Sequence, residues 1–140
     1  MRRLIQTSYC CRRAKLLPMR RRRRSKRPKK SDEEKYHHSV YVILLDDTIR
    51  KHRWVARLNP NRDILKPCVY VGMTGLPVDH RFENHRNGYK AARVVERYGV
   101  RLLPELFEHL NPMPFEAAAQ MEKDLTEDLR AAGYTVLGGT

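Results

Sequence analysis

Thirty consecutive residues without a single acid constrain this chain more than any other feature. Met1 to Lys30 holds 14 Lys+Arg and no Asp or Glu, with five arginines in a row at positions 20–24. Charges at this density repel one another and offer little apolar surface, so the segment cannot join a packed core and is expected to be disordered when free. The chain of 140 residues has 29 Lys+Arg and 16 Asp+Glu, so residues 31–140 carry 15 basic and all 16 acidic side chains. The formal charge of +13 therefore belongs to an arm, 1–36, and the domain that follows, 37–140, is close to neutral. A hydrophobic content of 41% supplies one core and is too small for two.

The natural partner of such an arm is a polyanion, because each neutralised phosphate releases condensed counterions. Nucleic acid is the first expectation, with Arg20, Arg21, Arg22, Arg23, Arg24, Lys26, Arg27, Lys29 and Lys30 as its contacts. A nuclear import signal is the second, a transit peptide the third, and a start codon placed too far upstream is the bland alternative. No apolar core follows the first arginines, so no secretory leader is expected. The longest unbroken apolar run, Val40 to Leu45, is far short of the roughly 20 residues that span a bilayer, and no membrane partner is expected. Cys10, Cys11 and Cys68 form neither a disulfide framework nor a zinc set. They read as free thiols of a reducing compartment: cytoplasm or nucleoid, or nucleus in a eukaryote.

From His38 onward the patterns are legible. Val40–Leu45 and Cys68–Gly72 are β-branched and aromatic and read as buried strands. The 22 residues between them, with Trp54 and Pro60, leave room for a short helix over Thr48–Leu58. Pro77 and Asp79 open a helix that Asn87-Gly88 stops, and Ala91–Tyr98 forms another, ended by Gly99. Leu102–Phe107 is an edge-strand candidate because of Pro104. The longest helix runs from Pro114 to Ala132, closed by Gly133, and Tyr134–Leu137 ends as an extended segment. The expected fold class is α/β (α+β): a small central antiparallel sheet of about three strands flanked by helices.

On the long helix, Phe115, Ala118, Met121, Leu125, Leu129 and Ala132 fall on one arc at about 100° per residue. Glu116, Lys123, Asp124, Glu127, Asp128 and Arg130 lie opposite, while Glu122 sits inside the apolar arc. A carboxylate aimed at a core must be paired, hydrogen-bonded or metal-bound, unless its stem packs while its head reaches water. Arg81 and His85 are four apart and share a helix face, where both can address one anion. Tyr41 and Tyr70, one on each strand, can project from the same side of the sheet if the strands pair.

This ordered set resembles the GIY-YIG nuclease superfamily. Ser39-Val40-Tyr41 stands for its first tripeptide and Tyr70-Val71-Gly72 for the second, Arg81 and His85 for its arginine helix, and Glu122 for its metal-binding carboxylate. The resemblance covers about residues 38–137. It departs from the family at Ser39, at Met73 where many members carry lysine, and in lacking a late asparagine and the usual partner domains.

The resemblance implies a DNA endonuclease that hydrolyses phosphodiester bonds with one Mg²⁺ (or Mn²⁺) held by Glu122. Arg81 would grip the scissile phosphate, Tyr41 would position or deprotonate the attacking water, Tyr70 would orient a second water or the phosphate, and His85 would relay the proton. A non-catalytic nucleic-acid-binding or ribosome-associated protein on the same fold is the alternative. Oligomeric state has no sequence signal.

Overall fold

The computed structural model describes residues 36–139. The nine basic residues expected to contact nucleic acid lie outside them. Strand β1 (Ser39–Leu45) leads through a 3-10 turn (Asp47–Lys51) to helix α1 (Arg53–Leu58) and strand β2 (Cys68–Thr74). Helices α2 (Val78–Arg86) and α3 (Arg93–Tyr98) follow, then β3 (Gly99–Leu102), two further 3-10 turns, α4 (Phe115–Ala131) and β4 (Thr135–Gly138).

The four strands form one mixed sheet in the order β3-β1-β2-β4. β1 is antiparallel to both β2 and β3, whereas β4 joins β2 in parallel. The fold class is the expected mixed α/β arrangement, with a fourth strand and a parallel pair that a three-stranded antiparallel sheet does not include. The central strands are apolar throughout because both of their faces are covered: Val40, Val42, Val69 and Val71 are fully buried on one side, Tyr41 and Ile43 on the other.

Two local expectations need correcting. The segment over Thr48–Leu58 is broken into a 3-10 turn, capped by Asp46, and a helix, because His52 between them is extended (φ −83°, ψ 123°). The third strand occupies Gly99–Leu102, not Leu102–Phe107. Gly99 lets the strand start directly at the helix end, since a Cβ there would press on the Val95 carbonyl, and Pro104 opens a 3-10 turn instead of continuing the ladder.

On α4, Ala118 and Leu129 are buried as the arc predicts, but Phe115 and Ala132 are exposed and Thr126 is buried in their stead. Arg130 turns inward, donating to Asn59 Oδ1 (3.2 Å) and the Val136 carbonyl (3.3 Å). Asn59 is itself buried and holds the carbonyls of Val55 and Val136 and the N–H of Val136, tying α1 to β4. No helix among the described residues is long and apolar enough to cross a membrane.

Candidate active site

The antiparallel register sets Tyr41 opposite Gly72 and Ile43 opposite Tyr70. Paired residues project to the same side of a sheet, so both phenols occupy one face. Tyr41 lies across the bare backbone of Gly72, where an added Cβ would stand 2.6 Å from its Cζ and Oη. Gly138 does the same for Tyr70: it has φ +82°, and a Cβ there would meet the Tyr70 ring at 2.9 Å.

His85, fully buried on α2, completes a cluster of three rings. Centroids are 6.4 Å apart for Tyr41–Tyr70, 5.9 Å for Tyr41–His85 and 6.0 Å for Tyr70–His85. The hydrogen bonds fix the imidazole's tautomer. Ala92, the cap of α3, donates its backbone N–H to His85 Nδ1 at 3.2 Å. A neutral imidazole has one acceptor nitrogen and one donor. With Nδ1 accepting, the hydrogen resides on Nε2, which donates to Tyr41 Oη at 2.9 Å.

Burial, and secondarily the Arg81 charge, push the His85 pKa down to about 4, so the ring is neutral near pH 7. Both nitrogens are thereby engaged. The ring thus holds the Tyr41 hydroxyl through Nε2 and the Ala92 N–H through Nδ1.

Arg81 sits one turn before His85 and donates through Nη2 to the Lys90 carbonyl at 3.1 Å. Lys90 adopts φ 46°, a left-handed conformation uncommon for a non-glycine residue. Arg81's remaining donors form a fork that suits an anion. Its charge reaches both tyrosines, opposing the burial that raises their pKa values. Burial still prevails, aided by the neighbouring Tyr70, and Tyr41 is pushed up to about 12.

Glu122 faces this group from α4, and its negative charge raises both phenols further. Burial raises its own pKa, against the stabilising Gly139 N–H and the Lys123 charge. The N–H can approach because Gly139 lacks a side chain: a Cβ there would overlap Thr126, whose hydroxyl donates to the Glu122 carbonyl at 2.7 Å. Glu122 makes no salt bridge among the described residues.

Tyr41, Tyr70, Arg81, His85 and Glu122 are thus neighbours, drawn from β1, β2, α2 and α4. The residues that sequence reasoning missed are those acting through their backbone. Ala92 carries no signal of this kind, whereas the Gly138-Gly139 pair after an apolar strand marks left-handed backbone and close approach.

A divalent cation is compatible with this donor set. Glu122 has carboxylate lone pairs beyond those its backbone partner uses, and no group of three or more His, Cys, Asp or Glu side chains converges among the described residues. One carboxylate plus waters is a coordination that Mg²⁺ accepts and a structural zinc site does not.

No family model, curated protein or solved structure matches the chain.

Proposed function

We propose that the domain hydrolyses phosphodiester bonds of nucleic acid, DNA first, with one Mg²⁺ or Mn²⁺ at Glu122. The supporting observation is that a carboxylate with no salt bridge among the described residues and a guanidinium act electrostatically on the same two phenols. Hydrolysis of a phosphodiester needs an oriented water, charge relief on the phosphoryl oxygens and stabilisation of the departing 3′ oxygen. The cation would supply Lewis-acid charge relief, and Glu122 is the residue to hold it.

The chain's own groups divide the remaining work. Arg81, anchored at Lys90, presents its free N–H groups to the phosphate. Tyr41 Oη accepts from His85 Nε2–H and lies within the reach of Arg81, so its own hydrogen is what it can donate to the oxygen of the attacking water. Tyr70, on the same face, orients a second oxygen. With a pKa about 12, Tyr41 orients the water as a neutral phenol near pH 7, and the proton the water loses on attack passes to a phosphoryl oxygen or to solvent.

The test is cation-dependent relaxation of supercoiled plasmid by the purified chain, with Glu122→Ala and Arg81→Ala beside it. Cleavage should vanish in both variants while far-UV circular dichroism is unchanged; cleavage retained in either removes the assignment. The high Tyr41 pKa favours a second reading, a nucleic-acid-binding or ribosome-associated protein without catalysis. Deleting residues 1–30 separates the two. A hydrolase still cleaves short substrates at low salt, whereas a pure binder cleaves nothing with or without the arm.

A further inference from the structure

The residues from Thr48 to Arg62 contain five Lys/Arg and no acid, within a domain whose net charge is close to zero. Arg50 is consumed internally, by Asp47, Thr135 and the Lys66 carbonyl. Lys51, Arg53 and Arg57 are exposed and form no salt bridge among the described residues. On α1 the buried residue is Val55, so at about 100° per residue Arg53 and Arg57 point outward, with Trp54 and Leu58 beside them.

Trp54 is 43% exposed and Leu58 50%. The His52 ring lies beside the indole, with centroids 6.2 Å apart and planes inclined by 30°. His52 is held in turn by a 2.9 Å hydrogen bond between Nε2 and Tyr98 Oη. The indole is therefore flanked by a ring that is itself held, and the residue remains 43% exposed. Tyr98 ends the same helix, α3, whose cap residue Ala92 bonds His85. Six residues at 1.5 Å each put roughly 9 Å between the two ends.

We propose that Trp54 is a stacking platform for an unstacked nucleobase of the bound strand, with Lys51, Arg53 and Arg57 holding the adjoining phosphates. A half-exposed indole amid cations that form no salt bridge among the described residues is what a single-stranded nucleic acid needs: a flat π surface for the base and positive charge for its backbone. An apolar protein partner would find the rim charged, and an acidic one would have no use for the aromatic face. The platform is tied to the phenols through α3, by His52–Tyr98 at one end and Ala92–His85 at the other. This deepens the hydrolytic reading and rests on it for the identity of the strand.

Trp54 is the single tryptophan of the chain, so its fluorescence reports on this surface alone. The experiment titrates the full chain, in EDTA, with a short oligothymidylate and with an abasic oligonucleotide of the same length. The arm can engage the phosphates of both, but only the first has bases to stack. Oligothymidylate should quench the indole and shield it from acrylamide, and the abasic strand should do neither. Trp54→Ala should weaken oligothymidylate binding by about five- to a hundredfold, with Trp54→Phe largely restoring it. Equal responses to the two strands, or unchanged affinity in Trp54→Ala, overturn the platform. Because cleavage is blocked throughout, these outcomes are independent of the plasmid assay: quenching without any hydrolysis would sink the enzyme and keep the platform, and hydrolysis without quenching the reverse.

Discussion

His85 donates to Tyr41, not the other way round: the Ala92 N–H occupies Nδ1, which leaves Nε2–H to meet the phenolic oxygen at 2.9 Å. A histidine placed this way serves the site by fixing where Tyr41 Oη stands. If it acts only through that oxygen, its loss cannot add to the loss of the hydroxyl. Tyr41→Phe should lower cation-dependent cleavage by about a hundredfold or more, His85→Ala should fall in the same range, and the double variant should be no worse than Tyr41→Phe. Additive losses in that cycle would give His85 a role of its own.

The same histidine makes stability pH-dependent. Its folded pKa, about 4, lies below the 6.5 of a free imidazole. The unfolded chain therefore binds the extra proton first as pH falls. The contribution is complete above about pH 6.5 and is lost progressively toward pH 4. Thermal unfolding across that window should show a falling Tm, and His85→Gln, which cannot titrate, should flatten the slope.

Gly72 is a position where one methyl group acts directly on Tyr41. Its Cβ would stand 2.6 Å from Tyr41 Cζ and Oη, and Tyr41 is almost fully buried, so the ring has little room to withdraw. Gly72→Ala should destabilise the domain by about 1–3 kcal/mol through overpacking and remove cleavage activity. Differential scanning calorimetry and the plasmid assay read the two effects separately.

Asn59 is the corresponding test away from the site. Its amide serves two carbonyls and one N–H and receives Arg130, all within buried surroundings. Asn59→Ala leaves several of these groups without partners, at roughly 1–3 kcal/mol for each one that water cannot reach. Urea unfolding should show a loss of at least about 2 kcal/mol, larger than a single exposed hydrogen bond would explain.

The elements legible in the sequence were those with a strong period or punctuation. Val40–Leu45, Cys68–Gly72 and the long amphipathic helix announce themselves, and Gly133, at φ +96°, ends that helix where expected. Glu122 stood out for the same reason, as a charge on the wrong arc. What escaped were features set by tertiary partners: β3 begins at Gly99 because β1 offers it an edge, and Thr126 is buried because Gly139 leaves it space. The tautomer of His85 depends on a main-chain amide at Ala92, and no side chain advertises that.

One contact at the rim of the sheet has a wider meaning. Asn111 accepts from the Val40 N–H (2.9 Å) and donates to the Val40 carbonyl (2.8 Å), while Leu103 N–H reaches the Val42 carbonyl and His38 bridges Met113. Between them, a carboxamide and two loop segments finish the ladder that β3 is too short to complete. The tyrosine-bearing strand is thereby closed to annealing with a neighbouring copy, so self-association through that border is blocked by the molecule's own covering.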